Sequence, residues 1–322
     1  MIRVALIGIG GMGFVHYNAY KKVNDAEIVA VADPRVEMAK EKIGADNVNV
    51  YSHIDELLAN EKVDMVDICT PSYTHADLAI KAMEAGLDVL CEKPMSVTTS
   101  EAERMLEVKK RTGKRLMIAH VVRFMAPYVY LKSVIESGEL GKPLSVQMRR
   151  ISSIPRWSWE DWMRNVSKSG GAPIDLSIHD IDFAQYVFGK PREILSMHKP
   201  LACDTNYIVS NLVYDGFSVN IVGGWFCCAM SFDASYVAVF EKGVVKSEYG
   251  KVIKCGEEVQ LEVGVTSENT GINLTGADGY ADEIAYFVDC IKKGIDPDRV
   301  TPESSLYSVS LTSELVEKAA TI

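Results

Sequence analysis

The sequence lacks a cysteine framework, a membrane-length apolar run and an excess of basic residues, and each absence excludes a class of protein. Its seven cysteines are an odd number without the CxxC spacing of zinc sites, so we expect no disulfide scaffold. No apolar run approaches the roughly 20 residues of a membrane span. A net charge of −10 gives a nucleic-acid partner no electrostatic help. We therefore expect a cytoplasmic protein with neither a membrane nor a nucleic acid as partner.

Internal repeats and low-complexity segments are also absent from the sequence. The apolar run 4–15 follows Arg3, as in a secretory leader, but its glycines and the lack of a small-residue cleavage site argue against one. The chain has 322 residues, of which 48% are hydrophobic and 24% charged. This is long enough for two globular domains, each with its own hydrophobic core.

The most informative segment is the N-terminal one, which reads as strand, glycine turn, helix, strand and a terminal carboxylate. Strands are predicted at Arg3–Ile7 and 28–32, the turn spans Gly8–Gly13, and Asp33 ends the second strand. A turn without Cβ atoms lets backbone N–H groups and a helix N-terminus approach a pyrophosphate. Asp33, 20 residues after Gly13, is placed to accept hydrogen bonds from an adenosine ribose. We predict a bound dinucleotide; a structural glycine turn in another doubly wound sheet is the alternative.

The same segment bears on which dinucleotide binds. The carboxylate of Asp33 repels a 2′-phosphate, which favours NAD over NADP. Arg35 lies two residues further on and could swing to meet that phosphate, so NADP stays open as the alternative. The cofactor-binding residues predicted from this segment are Gly8, Gly10, Gly11, Met12, Gly13, Asp33 and Arg35.

Alternation of strands and helices continues up to residue 120. Strands are predicted at 65–69, 88–91 and 116–119, with a helical segment before each of them. Strands separated by single helices form parallel sheets with right-handed crossovers. Residues 1–120 are therefore predicted to form an N-terminal Rossmann domain, an α/β fold with a doubly wound parallel sheet.

The pattern changes after residue 120. Helices are predicted at 128–137, 174–188, 280–293 and 303–320, and strands at 144–152, 193–198, 206–214, 218–226, 236–240, 244–248 and 258–263. The short connections 214–216 and 241–243 are typical of hairpins, which makes this sheet largely antiparallel. Residues 121–322 are predicted to form a second α/β domain; the family resemblance described below implies that its sheet is open and that this domain binds substrate and supports oligomerisation.

Two polar segments follow predicted strands of the first domain, namely Thr70-Pro71 and Glu92-Lys93-Pro94. Ligands of an open parallel sheet bind beyond the carboxyl ends of its strands. Pro94 restricts Lys93 to an extended backbone conformation, so the Lys93 ammonium is expected to project over the ligand crevice. A surface lysine at the start of a loop is the alternative.

The helix predicted at 174–188 carries a polar stripe on an otherwise apolar surface. Asp175, His179, Asp182 and Tyr186 share one face by their spacing. Because the other faces are apolar, the helix is buried and its stripe faces either water or a cleft. A metal site at His179 and Asp182 is not expected, because no neighbouring cysteine or histidine completes a ligand set.

An aromatic segment and an arginine are further candidates for binding a substrate. Trp157, Trp159 and Trp162 fall within six positions beside charged residues, a pattern that could form a platform for a polyol ring. They could equally cover the core of the second domain. Arg123, just after the last strand of the first domain, is a candidate for contacting substrate hydroxyls.

Taken together, these motifs resemble the glucose–fructose oxidoreductase / inositol dehydrogenase / rhizopine catabolism (Gfo/Idh/MocA) superfamily over essentially the whole chain. The features that carry the resemblance are Gly8–Gly13, Thr70-Pro71 with His75, Glu92-Lys93-Pro94, Arg123-Phe124, and Gly170-Gly171 with Asp175, His179 and Asp182. The resemblance implies a nicotinamide cofactor contacted also by Thr70, Pro71, His75, Glu92 and Lys93. It implies Lys93, Asp175 and His179 as the catalytic set, and a homodimer or homotetramer.

The expected function is an NAD-dependent dehydrogenase that oxidises a secondary alcohol of a cyclic polyol or sugar to a ketone. His179 is the expected general base, because imidazole titrates close to working pH. Asp175 would orient the substrate or polarise His179, and Lys93 would stabilise alkoxide character on the reacting oxygen. Arg123, Trp157 and Trp162 are the further substrate-binding candidates. A redox-neutral NAD-using sugar enzyme, as in some glycosidases, and a non-catalytic NAD sensor are the alternatives.

Overall fold

The structure is a computed structural model that describes residues 1–201, 206–248, 250–261 and 279–319. The chain divides into two compact units. The first unit comprises Met1–Val121 and Tyr280–Leu306, and the second comprises Val122–Gly279 and Tyr307–Ile322. Among the described residues, no helix combines the length and the apolar character needed to span a bilayer.

A six-stranded sheet with all of its strands parallel forms the centre of the first unit. The strands are β1 Ile2–Ile7, β2 Ala26–Ala32, β3 Asn49–Tyr51, β4 Met65–Ile68, β5 Asp88–Glu92 and β6 Leu116–Ala119. They lie in the order β3-β2-β1-β4-β5-β6. The winding direction reverses between β1 and β4, and doubly wound sheets bind ligands at such a switch point.

Five helices connect the strands of this sheet. They are α1 Gly11–Tyr20, α2 Val36–Ile43, α3 Ile54–Asn60, α4 His75–Glu84 and α5 Thr99–Thr112. The longest, α5, begins with a capping box formed by Thr98 and Glu101 and ends at Gly113 in the left-handed conformation. Every residue of β4 and β5 is buried, as expected for the central strands of a sheet covered on both faces.

The second unit contains an eight-stranded sheet. Its strands are β7 Pro143–Ser153, β8 Glu193–Pro200, β9 Asn206–Val213, β10 Ser218–Phe226, β11 Asp233–Phe240, β12 Gly243–Glu248, β13 Lys251–Lys254 and β14 Glu257–Val259. They lie in the order β14-β13-β12-β11-β7-β10-β9-β8. Neighbouring strands run antiparallel except β7 and β10, which are parallel.

The hydrophobic core of the second unit lies on one face of this sheet. The remaining α-helices of the described residues are α6 Ala126–Ser137, α7 Val166–Ser169, α8 Ile178–Phe188, α9 Gly279–Lys293, which lies almost wholly in the first unit, and α10 Pro302–Glu317. Leu131 of α6, Phe183 of α8 and Leu311 of α10 pack in one buried cluster with sheet residues such as Ile221. The alternation of buried and partly exposed residues along β9 follows from this one-sided packing.

The structure confirms the predicted fold class and differs from the sequence expectation in three details. The predicted division at residue 120 assigns the whole C-terminal region to the second domain, whereas 280–306 groups with the first unit. The short strands β3 and β13 were not predicted. The strand expected at 258–263 is shorter in the structure, where β14 ends at Val259 and residues 260 and 261 belong to no strand; residues 262 and 263 lie outside the described residues.

Candidate functional site

The turn after β1 has no room for side chains at two of its glycines. A Cβ at Gly8, where φ is +84°, would lie 2.7 Å from the carbonyl oxygen of Cys69, and one at Gly13 would lie 2.0 Å from the carbonyl oxygen of Gly8. At Gly10 the nearest atom would be Arg35 Nη2, 3.9 Å away. Gly11 is the exposed first residue of α1 and Met12 is half-buried. The turn is therefore closed towards the sheet and open at the N-terminus of α1, as a pyrophosphate requires.

Asp33 stands beside this turn with its carboxylate in contact with Arg35. The carboxylate accepts hydrogen bonds from the N–H groups of Ile9 at 3.1 Å and Arg35 at 2.9 Å. The Arg35 guanidinium reaches the same carboxylate, with Nε 3.1 Å from Oδ1 and Nη2 3.2 Å from Oδ2. Asp33 therefore lies beside the glycine turn, and Arg35, the arginine that could favour NADP, contacts its carboxylate; ribose binding by Asp33 stays a prediction.

Lys42 of α2 belongs to the same region, although the sequence analysis did not single it out. Its amine donates to the carbonyl oxygens of Ile9 and Gly10 at 2.9 and 3.0 Å. Burial and the nearby Arg35 lower the pKa of Lys42. An ordinary helix lysine 33 residues from Ile9 gives no local signal of this contact, which depends on how α2 packs.

His75 was expected to contact the cofactor, but its side chain is fully buried. Its Nδ1 lies 2.8 Å from the carbonyl oxygen of Pro94, and its Nε2 lies 2.9 Å from that of Thr70. Burial lowers the pKa of His75. The ring links the segments after β4 and β5, whereas Thr70 and Pro71 remain partly exposed. We therefore assign His75 to positioning these segments and not to direct contact.

Glu92 is buried, as His75 is, whereas the next residue, Lys93, is partly exposed. Glu92 is 5% exposed, with Oε2 accepting a hydrogen bond from the Lys93 N–H at 3.0 Å and Oε1 lying 3.1 Å from His16 Nε2. Burial, the largest single effect, would raise the pKa of Glu92, but the hydrogen bond and charge of His16 together with the charges of Lys93 and His75 lower it. Lys93 is partly exposed, and its peptide bond to Pro94 is cis. Glu92 was expected at the cofactor, and its contacts instead place it in the interior.

In the second unit, Asp175 and His179 lie on either side of a change in helix type. Asp175 belongs to a π-helical turn, Pro173–Ser177, and His179 is the second residue of α8. The single helix predicted at 174–188 is therefore wrong in this detail. Asp175 is 6% exposed and His179 is partly exposed. Single π-helical turns occur frequently at functional sites, because they re-aim the side chains they carry.

Close packing holds the π-helical turn in place. On one side, Asn206 Oδ1 accepts a hydrogen bond from the Ala172 N–H at 2.7 Å, and a Cβ at Gly171 would lie 2.2 Å from Asn206 Nδ2. On the other side, a Cβ at Gly223 of β10 would lie 2.0 Å from Ser177 Oγ. The turn is thus fixed against β9 and β10, which fixes the backbone on both sides of Asp175.

Arg123 and Asp182 form a buried ion pair, which the sequence did not predict. Arg123 Nε and Nη2 lie 2.8 and 2.6 Å from the two carboxylate oxygens of Asp182, and Ser308 Oγ donates to Asp182 Oδ1 at 2.7 Å. The guanidinium also lies 4.4 Å from the centre of the Tyr186 ring. Arg123 is only 2% exposed. Its expected contact with substrate hydroxyls is corrected to a structural contact with α8, because this bidentate pairing uses its planar fork.

The two tryptophans predicted to bind substrate differ in their surroundings. Trp157 is 65% exposed, whereas Trp162 packs partly against a buried cluster that includes Leu176 and Trp225. Leu176 belongs to the π-helical turn, so Trp162 lies near Asp175 in the fold. Trp162 therefore fits the alternative of a core cover, and Trp157 offers an exposed aromatic surface.

A buried polar cluster in the first unit is a further feature that the sequence analysis missed. The side chains of His16, Asp67 and Cys69 lie within 4.8 Å of one another, a grouping that could hold a metal ion. Both ring nitrogens of His16 already face carboxylates, however, with Nδ1 2.9 Å from Asp67 and Nε2 3.1 Å from Glu92. In the sequence, this cluster could have been suspected from His16, a histidine in a largely apolar helix after the glycine turn.

The fold and the turn define the class of protein, a two-unit chain with a Rossmann unit suited to a dinucleotide. Two family models agree with that class. Residues 2–120 match the Gfo/Idh/MocA oxidoreductase family, described as an NAD-binding Rossmann fold, and residues 128–246 match the Gfo/Idh/MocA C-terminal domain. The chain belongs to the Gfo/Idh/MocA oxidoreductase family, which confirms the resemblance inferred from its motifs.

Curated relatives include dehydrogenases of polyols and sugars. The chain is 33% identical over 195 residues to myo-inositol 2-dehydrogenase of Thermotoga maritima, covering 60% of this chain and 56% of that protein. It is 34% identical over 194 residues to D-glucoside 3-dehydrogenase of Escherichia coli, covering 59% of this chain and 55% of that protein. The match thus spans little more than half the length of these relatives.

The fold is also similar to a solved structure over nearly the whole chain. Scyllo-inositol dehydrogenase from Lactobacillus casei, solved with NAD(H) and scyllo-inositol bound, superimposes with a TM-score of 0.80 at 20% sequence identity. The superposition covers 99% of this chain and 97% of that one. At this level of identity the similarity establishes the shared architecture of both units.

Proposed function

We propose that the protein is an NAD-dependent dehydrogenase that oxidises a secondary alcohol of a cyclic polyol or sugar to a ketone. One observation carries the proposal: Lys93 follows β5 at the same sheet edge as the glycine turn after β1 and Asp33 after β2. A flexible amine at the edge where the dinucleotide is expected can serve the reacting end of that cofactor. The names of the related proteins favour polyols and sugars as the substrate class.

The residues around the glycine turn fit NAD. The open position at Gly10 and the N-terminus of α1 suit a pyrophosphate, and Asp33 offers carboxylate oxygens to ribose hydroxyls. Arg35 and Lys42 lie at the same edge, but Arg35 contacts the Asp33 carboxylate and Lys42 contacts two turn carbonyls. Bound NAD would supply the hydride acceptor of the reaction.

The proposed catalytic set is Lys93, Asp175 and His179. His179 takes the proton of the substrate hydroxyl as general base, and Asp175 orients the imidazole or the substrate beside it. Lys93 donates a hydrogen bond to the reacting oxygen and stabilises negative charge there as the proton leaves. Trp157 is the remaining aromatic candidate for contact with a sugar ring. Because Arg123 is paired with Asp182, the proposal favours an uncharged substrate over a phosphorylated one.

Replacement of Lys93 tests the proposal. We expect Lys93→Ala to lower kcat by about 10²–10³-fold, the usual cost of removing one donor to a developing oxyanion. The dissociation constant for NAD, measured by calorimetry, should stay nearly unchanged. Lys110→Ala, which removes an exposed lysine on α5, is the matched control and should keep full turnover. Unchanged kcat in Lys93→Ala would remove Lys93 from the mechanism.

A substrate screen separates this function from its alternatives. Inositols, aldoses and their lactones are incubated with NAD, and NADH is followed by its absorbance. Stoichiometric NADH release from a free polyol supports the dehydrogenase. Product formation without net NADH indicates a redox-neutral sugar enzyme, and NAD binding without any turnover indicates a sensor.

We also propose that the protein is a homodimer or homotetramer that associates through the uncovered face of the eight-stranded sheet. Leu195 and Met197 of β8, Val237 of β11 and Val244 of β12 are large apolar side chains between 37% and 55% exposed in the single chain. Val237 and Leu195 fall in one row across the sheet, separated by the amide side chains Gln147, Asn220 and Asn211. Such a face is costly to leave in water.

A further inference from the structure

The interior of the first unit contains a cluster of three buried carboxyl groups around a buried histidine. Asp67 of β4, Glu92 of β5 and Glu283 of α9 are between 0% and 5% exposed, and His16 of α1 is fully buried in the same cluster. The His16 ring lies between two of these carboxylates, 2.9 Å from Asp67 and 3.1 Å from Glu92. Carboxylates on both ring nitrogens call for a proton on each, which is the charged imidazolium.

The third carboxylate has no such partner. Neither oxygen of Glu283 has a hydrogen-bond partner among the described residues. Burial raises the pKa of Glu283 well above its ordinary value, and the nearby charges of Glu92 and Asp67 act in the same direction, against His16 and Arg299. A buried carboxyl in this setting keeps its proton.

We propose that His16 is a positioning residue for Lys93: a buried imidazolium that joins Asp67 to Glu92 and thereby fixes the peptide from which the Lys93 side chain leaves. Glu283 completes the cluster as a neutral acid. The link is continuous, because Glu92 Oε1 faces His16 while Oε2 accepts the hydrogen bond of the Lys93 N–H. The consequence for turnover rests on the proposed role of Lys93, whereas the charge states within the cluster do not.

A second histidine provides an internal comparison. His75 holds the other side of the same segment through the carbonyl oxygen of Pro94. Both of its ring nitrogens also face acceptors, but these are uncharged carbonyl oxygens, whose hydrogen bonds do not offset burial, and the pKa of His75 is lowered. Burial, the largest single effect, opposes the charged form of His16, but the charge and the hydrogen bond of Asp67 act against it, and the pKa of His16 is raised well above the ordinary value. The two buried rings are thus expected in opposite charge states.

Ring-labelled histidine NMR tests the charge states without any substrate. The chain has six histidines, so His16 can be assigned by replacing the other five singly and leaving the cluster intact. At about pH 8 we expect His16 to remain an imidazolium and His75 to be neutral, since free imidazole is neutral there. A neutral His16 ring at that pH overturns the proposal, whatever the enzyme turns over.

Kinetics of the cluster variants test the positioning role. We expect His16→Gln and Glu92→Gln each to lower kcat about 10- to 100-fold, the range that a small displacement of a catalytic group costs. The double variant should be no slower than the worse single one, because both substitutions break one chain of contacts. His53→Gln, at an exposed helix cap, is the control for the substitution itself. Additive losses, or an unchanged kcat in His16→Gln, would contradict the positioning role.

Substitution of Glu283 tests whether its buried carboxyl group is protonated. For a carboxyl whose folded pKa is raised, stability falls as pH rises from the ordinary pKa to the folded pKa. Glu283→Gln should therefore raise Tm, and by more at about pH 8 than at about pH 5. The facing groups that could alter this profile are His16, Asp67, Glu92, Tyr20 and Arg299. A lowered Tm in Glu283→Gln contradicts the neutral acid.

Metal analysis of the purified protein completes the test. We expect no stoichiometric zinc, and Cys69→Ala should keep the imidazolium signal of His16. One equivalent of zinc that is lost in Cys69→Ala would instead make His16, Asp67 and Cys69 a metal site and overturn the proposed ion pairing. If the NMR result holds while Lys93→Ala keeps full turnover, the cluster stands and the proposed function of Lys93 fails.

Discussion

Gly13 and Gly10 occupy the same turn but face different surroundings. A Cβ at Gly13 would meet the backbone of Gly8 at 2.0 Å, and backbone cannot rotate away as a side chain can. Gly13→Ala should therefore destabilise the protein by about 3 kcal/mol or more, the upper range for overpacking. In Gly10→Ala the new methyl group has no neighbour closer than 3.9 Å, so Tm should hardly change.

The two glycine variants should separate stability from cofactor binding. Thermal unfolding reports the first effect, and calorimetry with NAD reports the second. Gly10→Ala should weaken NAD binding at normal Tm, because the methyl group enters the space proposed for the pyrophosphate. Normal Tm in Gly13→Ala would show that the turn is looser than its geometry indicates.

Asp33 and Arg35 are expected to set the cofactor preference together. In the structure the guanidinium is held by the Asp33 carboxylate through Nε and Nη2. Asp33→Ser removes the charge that repels a 2′-phosphate and releases Arg35 to meet it. The ratio of kcat/KM for NAD to that for NADP should fall at least about tenfold, which corresponds to 1.4 kcal/mol.

A second substitution checks the reason for that change. If Arg35 receives the phosphate, Arg35→Ala in the Asp33→Ser background should abolish the gained activity with NADP. NADP activity that persists in the double variant would assign the phosphate contact to another cation, and Lys42 is the nearest one identified at this edge.

At the scale of elements, the π-helical turn and β10 depend on each other. Gly223→Ala would place a Cβ 2.0 Å from Ser177 Oγ and 2.8 Å from its Cβ, so the turn that carries Asp175 must move. We expect a loss of about 1–3 kcal/mol in stability and a fall in kcat that exceeds any change in KM for NAD. Urea unfolding and steady-state kinetics measure the two effects.

A compensating substitution tests whether the contact with Ser177 causes the loss of kcat in Gly223→Ala. Ser177→Gly removes both atoms that the new methyl group would meet, at the usual cost of about 1 kcal/mol for glycine in a helix. The double variant Gly223→Ala/Ser177→Gly should therefore recover most of the kcat lost in Gly223→Ala. A double variant no more active than Gly223→Ala would indicate that the turn is not what the substitution displaces.

The elements that the sequence predicted well are those with a strong local pattern. β4 and β5 are short, mostly apolar runs between helices, and the hairpin of β9 and β10 has a glycine turn, so their place in the sheets could be inferred. β3 has three residues and is too short to show a period. The π-helical turn has the same apolar composition as an α-helix, so its extra residue per turn is invisible to spacing.

For the whole molecule, we expect the proposed interface on the exposed sheet face to be sensitive to a single added charge. Val237→Asp would place a carboxylate in the middle of the proposed interface, where its desolvation is unfavourable. We expect this variant to be monomeric by light scattering at concentrations where the unaltered protein is oligomeric. Val166→Asp introduces the same charge at a 53% exposed site on α7 and should leave the assembly intact. An oligomer that survives Val237→Asp would assign the interface to another surface.

The sequence by itself determined the fold class, the glycine turn, the acidic end of β2 and the positions of Lys93, Asp175 and His179. These features depend on residue type and spacing along a short segment, which is what local backbone geometry responds to. Only the tertiary structure decided which polar side chains pair with other groups inside the protein. Arg123 is paired with Asp182, His75 with the carbonyl oxygen of Pro94 and Glu92 with His16, each across at least 19 residues of chain. Such pairings follow from how helices and strands pack, and no local pattern contains that information.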